Sequence, residues 1–250
     1  MKVSKSSTVL LATATLVLAA ATGARPPQKS EKTAGAEVGE YQRDVEQYPE
    51  AALDANAAMS GPNMDSNPHI FMTDLEPKNE DDDRRAGVIL DILRKAMGKY
   101  KDYRVAEANG YHVFMPKVPQ PQYHFTNQRY AFAAAFLFNP AHPTSLLYKK
   151  TRDGYELQGA MFTAPKSATK QQLNDRIPLS VARWHEHVNL CMPAKSVPAQ
   201  KVNWTEFGLS GSIATQDACV QAGGRWIPQV FGWIVHVYPF ETDADKIWPH

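Results

Sequence analysis

The change from helical to strand periodicity after Gly110 constrains the fold of this 250-residue chain more than any other feature of its sequence. Upstream, apolar residues recur at helical spacing. Downstream, apolar and polar residues alternate in short segments that are separated by Pro and Gly turn signals, such as Asp153-Gly154. The alternation predicts strands over residues 111–115, 122–126, 145–149, 155–164, 181–191 and 231–240.

The helical part of the chain precedes these strands. Its apolar spacing predicts a helix over residues 78–109, with Gly98 as a point of interruption. We expect its buried face to comprise Val88, Ile89, Ile92, Leu93, Ala96 and Met97. Two short helices, one after Ser167 and one after Thr215, interrupt the later strands. The predicted fold is therefore α+β, with an N-terminal helix packed on a mainly antiparallel β-sheet or small open barrel.

The N-terminus has the pattern of a cleavable secretion signal. Lys2 and Lys5 precede a short apolar stretch, and small residues follow up to Ala24. The apolar stretch is shorter than the roughly 20 residues that a permanent membrane helix needs. We expect residues 1–24 to be a signal peptide, 25–66 a flexible tail poor in large apolar groups, and 67–250 a single α+β domain. The mature protein should then be periplasmic or secreted, without a stable membrane span.

Composition limits the kinds of partner that the protein can bind and indicates the redox state of its cysteines. The 27 Lys and Arg residues nearly balance the 26 Asp and Glu residues, and no basic stripe is present, which argues against a nucleic-acid partner. The two cysteines, Cys191 and Cys219, are expected to form one disulfide in an oxidising compartment. A competing interpretation makes Cys191 a metal ligand beside His185 and His187.

Three of the predicted strands carry histidine on one face and mainly apolar residues on the other. Two imidazoles at positions i and i+2 of a strand can reach one ion at about 2.0–2.1 Å. Neutral imidazole suits copper and zinc among other ions. The metal hypothesis takes as ligands His185, His187, His236 and His124. Arg183 and Asn189, which belong to the predicted strand 181–191 together with His185 and His187, would orient the ligands or a substrate.

Other interpretations stay open. The histidines could be structural residues scattered over a solvent-facing sheet surface, or they could form a metal-free catalytic site. The alternative function is a metal-free periplasmic protein that binds a small ligand or an envelope partner through an aromatic pocket. The aromatic residues available for it are Trp184, Trp226, Trp233, Phe231 and Tyr238. The remaining histidines are interpreted as incidental: His69, His112, His142 and His250.

Five segments occur in order along the chain: YHF at 123–125, SLLY at 145–148, GAMF at 159–162, WHEHVN at 184–189 and HVYPFE at 236–241. Through them the chain resembles a group of exported bacterial proteins of unassigned function, over residues 85–242. The resemblance implies export and a single domain. The WHEH segment is also similar to a copper-ligand segment of multicopper oxidases, whose second H-x-H and closing His-Cys-His segments are absent here. The arrangement is also similar to that of cupins, which bind a metal through an H-x-H pair on a strand and a later histidine.

Overall fold

The computed structural model describes residues 64–116, 120–198 and 201–249. The predicted signal peptide, residues 25–63 of the predicted tail, and His250 lie outside the described residues. The first described residues, Met64–Ser66, form a 3-10 turn that leads into the first strand. Within the described ranges the fold is α+β, as predicted, with six α-helices and one open eight-stranded sheet.

The sheet is antiparallel at every pair of strands that the structure describes. Its strands are β1 (Ile70–Met72), β2 (His112–Val113), β3 (Tyr123–Thr126), β4 (Ser145–Thr151), β5 (Gly154–Ala164), β6 (His185–Met192), β7 (Arg225–Gln229) and β8 (Trp233–Val237). Their order across the sheet is β1-β6-β8-β5-β4-β3-β2, and β7 pairs with the second half of β6. The strands that carry histidine are therefore not all neighbours.

The helices are α1 (Asp82–Met97), α2 (Tyr103–Ala108), α3 (Gln128–Ala133), α4 (Lys170–Arg176), α5 (Gln216–Gln221) and α6 (Ala244–Ile247). The predicted helix over 78–109 is divided into α1, a 3-10 turn at Gly98–Lys101, and α2. Asp102 adopts extended backbone angles, and its side chain accepts a hydrogen bond from the Arg104 amide, so a new helix begins there. None of the helices in the described ranges has the length and apolar character needed to cross a membrane.

The main core lies between α1 and one face of the sheet. The buried stripe of α1 comprises Ala86, Ile89, Leu90, Leu93 and Met97, together with the buried carboxylate Asp82. Val88 and Ile92 were expected on this face, but 48% and 39% of their surfaces are exposed. Each stands one residue before a buried position, about 100° around the helix from it. The prediction of the helix was right, and the prediction of its buried face was wrong at these two positions.

The two cysteines form a disulfide, as predicted. The S–S distance of Cys191 and Cys219 is 2.01 Å and their Cα atoms are 5.5 Å apart. The bond joins the end of β6 to α5. Because its sulfur is used in this bond, Cys191 is not a metal ligand, and the competing interpretation is wrong.

A candidate metal centre of four histidines

The four predicted ligands project from one face of the sheet. β3 carries His124, β6 carries His185 and His187, and β8 carries His236. The residue before His236 on β8, Val235, is buried in the main core, so strand alternation directs His236 to the opposite face. The same alternation applies to the other three residues. We call this side of the sheet the histidine face.

The histidine face is concave. β5 and β4 lie between β8 and β3, so a flat sheet would separate these two strands by about 14 Å. The ring centroids of His236 and His124 are nevertheless 5.7 Å apart. Just after β8, the hydroxyl of Tyr238 donates a hydrogen bond of 2.9 Å to Oε1 of Gln122, across the same gap. The sheet therefore curls around this face and brings distant strands together.

Gly159 on β5 leaves room for this crossing. A Cβ atom at that position would lie 2.5 Å from the backbone oxygen of Val237 and 2.9 Å from Cδ1 of Tyr238. Both distances are shorter than real carbon contacts. A side chain at residue 159 would therefore push Tyr238 and the end of β8 away from β5. The absence of a side chain at residue 159 permits the sheet curvature that brings His236 close to His124.

Three neighbouring pairs of rings have the spacing that a shared ion requires. The centroid distances are 5.3 Å for His185–His187, 5.3 Å for His185–His236 and 5.7 Å for His236–His124. Two imidazoles bound to one tetrahedral ion have their centroids about 5 Å apart. In the described ranges, however, no group of three or more His, Cys, Asp or Glu side chains meets the geometry for holding a metal ion. Binding of one ion by this chain of rings therefore requires the rings to turn.

Two ring nitrogens of the cluster are buried and have no hydrogen-bond partner within the described part of the chain. They are Nε2 of His185 and Nδ1 of His187. These two side chains are 3% and 1% exposed, whereas His124 and His236 are half-buried. Leaving a buried polar group unsatisfied costs about 1–3 kcal/mol. A metal ion would satisfy such nitrogens, and the half-buried pair marks the side from which an ion could approach.

Burial keeps the four rings neutral at pH 7. It lowers the pKa of His124 to about 4, that of His187 to about 4 and that of His236 to about 3. The pKa of His185 lies well below its usual range, first because of burial and then because of the neighbouring imidazoles. Neutral imidazole has a free lone pair, which is the form that binds metal ions.

A second, smaller apolar cluster packs beside the histidines. Its buried members are Met115, Leu190, Leu209 and Val230, with Phe114, Ile227 and Phe231 packed against them. The ring centroid of Phe231 is 5.7 Å from that of His187. Asn189 has a positive φ of 59°, and at this point β6 exchanges its partners β1 and β8 for β7. Strict alternation over the predicted strand 181–191 would place Leu190 on the face opposite the histidines. The irregularity shifts the alternation, and Leu190 belongs to the apolar cluster beside the histidines.

The carboxylate within the histidine segment faces away from the rings. Glu186 lies between His185 and His187, so alternation directs it to the other side of β6. Its carboxylate accepts a hydrogen bond from the side-chain amide of Gln229. Burial raises the pKa of Glu186 to about 7, against the lowering effects of Gln229 and Lys166. The candidate centre therefore consists of imidazoles without this carboxylate.

The two residues that were predicted to orient ligands form hydrogen bonds to backbone carbonyls near β1. Nε of Arg183 donates to the oxygen of Thr73 at 2.7 Å, and Nδ2 of Asn189 donates to the oxygen of Pro68 at 2.9 Å. Both bonds hold the segment around β1 against β6. Their predicted role toward an ion or substrate stays a prediction.

The other described histidines lie apart from this cluster. His112 and His142 are exposed, and His142 stacks on Tyr130 with centroids 4.4 Å apart. His69 is not incidental, because it is 1% exposed and its two ring nitrogens lie 2.9 Å from the oxygen of Asn189 and 2.7 Å from that of Gly211. His69 thus ties the irregular part of β6 to the loop after it. Nothing in its local sequence distinguishes it from a loop histidine.

The aromatic residues of the alternative prediction are mostly used in packing. Trp184 and Trp233 belong to the main core, and Phe231 packs against the smaller cluster. A cavity of about 60 Å³ lies elsewhere, between α3 and β5, with Tyr130, Leu137, Phe138 and Phe162 among its lining residues. This volume is far below the roughly 300–1,000 Å³ of typical ligand pockets.

Comparison with known proteins found no matching family model, no similar curated protein and no similar solved structure. The function is therefore inferred from the four imidazoles and their surroundings.

Proposed function

We propose that this is an exported protein whose four histidines, His124, His185, His187 and His236, bind one transition-metal ion, copper or zinc. One observation carries the proposal: imidazoles from three strands meet on a concave face with centroids 5.3–5.7 Å apart. Two of them have buried ring nitrogens for which the described residues provide no hydrogen-bond partner. Histidines on a solvent-facing sheet surface would be exposed and hydrated. These four are buried or half-buried.

Two features support export. The first 24 residues have the pattern of a secretion signal. The Cys191–Cys219 disulfide fits an oxidising compartment. Both features support a periplasmic or secreted location.

The test is the metal content of the protein after export with its own leader. The protein is purified without a polyhistidine tag, and its metals are measured by elemental mass spectrometry. We expect about one copper or zinc ion per chain, lost in a His185→Ala/His187→Ala variant. The matched control is His112→Ala, which removes an exposed histidine outside the cluster and should keep the ion. An exported protein that holds no metal, even after incubation with both ions, would refute the proposal.

The second candidate is a metal-free protein that binds a small ligand or an envelope partner. One observation favours it: Phe132, Phe136 and Leu137 are 67%, 66% and 65% exposed and follow one another around α3 and the turn after it. Exposed apolar patches on a protein commonly mark interaction sites. Absence of metal in the experiment above, with an intact fold, would favour this candidate.

A further inference from the structure

The strand pairing places a methionine on the histidine face. Met161 of β5 is the register partner of His236 of β8. Residues directly opposite on antiparallel strands project to the same side, with Cβ atoms about 4.5–5.5 Å apart. The flanking residues of β5, Ala160 and Phe162, are buried in the main core on the other side of the sheet. Met161 therefore stands beside His236.

The side chain of Met161 is suited to reach the rings. It is half-buried, which leaves it at the accessible edge of the cluster together with His124 and His236. Methionine is unbranched and has three rotatable bonds, so its thioether can adjust to a nearby ion. Its other register partner is Ser145 of β4, whose hydroxyl is hydrogen-bonded to Thr126 at 2.8 Å. The register partner of Met161 on β4 is thus a small residue, and the next β4 residue on this face, Leu147, is opposite Gly159 of β5.

The charge of the cluster also distinguishes between ions. Over the described strands, the register places no Asp or Glu side chain on the histidine face near these rings. A bound ion would bring its full charge into a buried, apolar site. The cost of burying a charge rises with its square, so a monovalent ion costs about a quarter as much as a divalent ion of similar size. Thioether and imidazole together are ligands that favour monovalent copper.

We propose that the site takes copper as Cu(I) and that the sulfur of Met161 binds it beside the imidazoles. This inference rests on the proposed function and goes further, because it selects one ion and adds one ligand. Neutral ligands and a single positive charge suit the buried face, and the soft sulfur distinguishes Cu(I) from Zn(II).

The test is a comparison of Cu(I) and Zn(II) affinities, measured anaerobically by competition with a chromophoric chelator. Met161→Leu removes the sulfur and nearly conserves the volume. We expect its Cu(I) affinity to fall about tenfold or more, and its Zn(II) affinity to stay that of the wild type. The matched control is Met97→Leu, the same change in the main core on the other side of the sheet, which should alter neither affinity. X-ray absorption at the copper edge should show a sulfur neighbour in the wild type that Met161→Leu lacks.

Two results would overturn the inference. The first is a Cu(I) affinity of Met161→Leu equal to that of the wild type. The second is a loss of Zn(II) affinity as large as the loss of Cu(I) affinity, which would indicate disturbed packing. If either occurs while His185→Ala/His187→Ala still abolishes binding, only the role of Met161 fails. If the wild type binds neither ion, the proposed metal site itself fails.

Discussion

The buried nitrogens of His185 and His187 carry an energetic cost that packing alone does not explain. Among the described residues neither nitrogen has a hydrogen-bond partner, and the two side chains are buried. An apolar side chain of similar size would not carry this cost. Under the proposed function, a bound ion would satisfy both nitrogens.

His185→Leu tests this distinction. In the metal-free protein, we expect the free energy of unfolding to rise by about 1 kcal/mol, because an unsatisfied buried nitrogen is removed. In excess metal the order should reverse, because the wild type gains about 2.7 kcal/mol at a ligand concentration of 100 times Kd. Urea unfolding with and without a chelator measures both. A variant that is strongly destabilised without metal would show that His185 has a structural role instead.

At the scale of the elements, the curvature of the sheet depends on Gly159. We expect Gly159→Ala to lower the free energy of unfolding by about 1–3 kcal/mol, because its Cβ would collide with the backbone oxygen of Val237. Metal affinity should fall as well, since the end of β8 carries His236. The matched control is Gly87→Ala in α1, where a Cβ meets nothing within 4 Å, and this change should stabilise the helix by about 0.5–1 kcal/mol. Thermal unfolding of both variants measures the changes in stability, and a metal titration measures the change in affinity.

The start of α1 is held by Asp82, which is 2% exposed. Its carboxylate accepts hydrogen bonds from the Asn79 amide at 3.0 Å and the Ser180 hydroxyl at 2.7 Å. These bonds lower the pKa of Asp82 below its ordinary value of 3.8. The stabilisation is therefore fully present above pH 3.8 and is lost as the pH falls through the lower, folded-state pKa.

Asp82→Asn should accordingly lower the free energy of unfolding at pH 7 by about 1–3 kcal/mol. The difference from the wild type should shrink as the pH falls below the ordinary carboxyl pKa. Asp83→Asn, at a residue whose side chain is 72% exposed, should have little effect at any pH. Denaturant unfolding from pH 7 to strongly acidic conditions measures this, and a difference that does not depend on pH would contradict the assigned role.

The sequence predicted the local features of these elements and missed the non-local ones. Alternation alone identified the strands that carry His124, His185 and His236. It could not show that β5 and β4 lie between β8 and β3, because strand order and curvature depend on contacts between distant segments. The switch at Asn189 was also missed, since a single positive φ leaves no periodic signal. β7 was not predicted, because Pro228 and polar neighbours interrupt its apolar pattern.

At the scale of the whole molecule, the candidate centre lies between a main core and a smaller apolar cluster. The main core joins α1 to one face of the sheet, and the smaller cluster packs beside the rings on the other face. The covalent link in this second region is the Cys191–Cys219 disulfide, which closes a sequence separation of 28 residues. The disulfide therefore stabilises the region that packs beside the histidines.

A Cys191→Ser/Cys219→Ser variant should lose about 3–4 kcal/mol of stability in the chain-entropy model. We also expect its metal to exchange faster, because β7 and the smaller cluster would be held less firmly beside His187. Urea unfolding and the rate of metal transfer to a chelator measure the two effects. Wild-type stability together with a wild-type exchange rate would show that the disulfide does not stabilise this region.

The most direct test of the central claim is an anomalous-scattering map from crystals of the protein loaded with copper or zinc. We expect one strong peak per chain, within about 2.0–2.1 Å of ring nitrogens from at least three of the four histidines, with the rings turned toward it. A peak bound elsewhere, or no peak among His124, His185, His187 and His236 in crystals exposed to either ion, would contradict the metal centre.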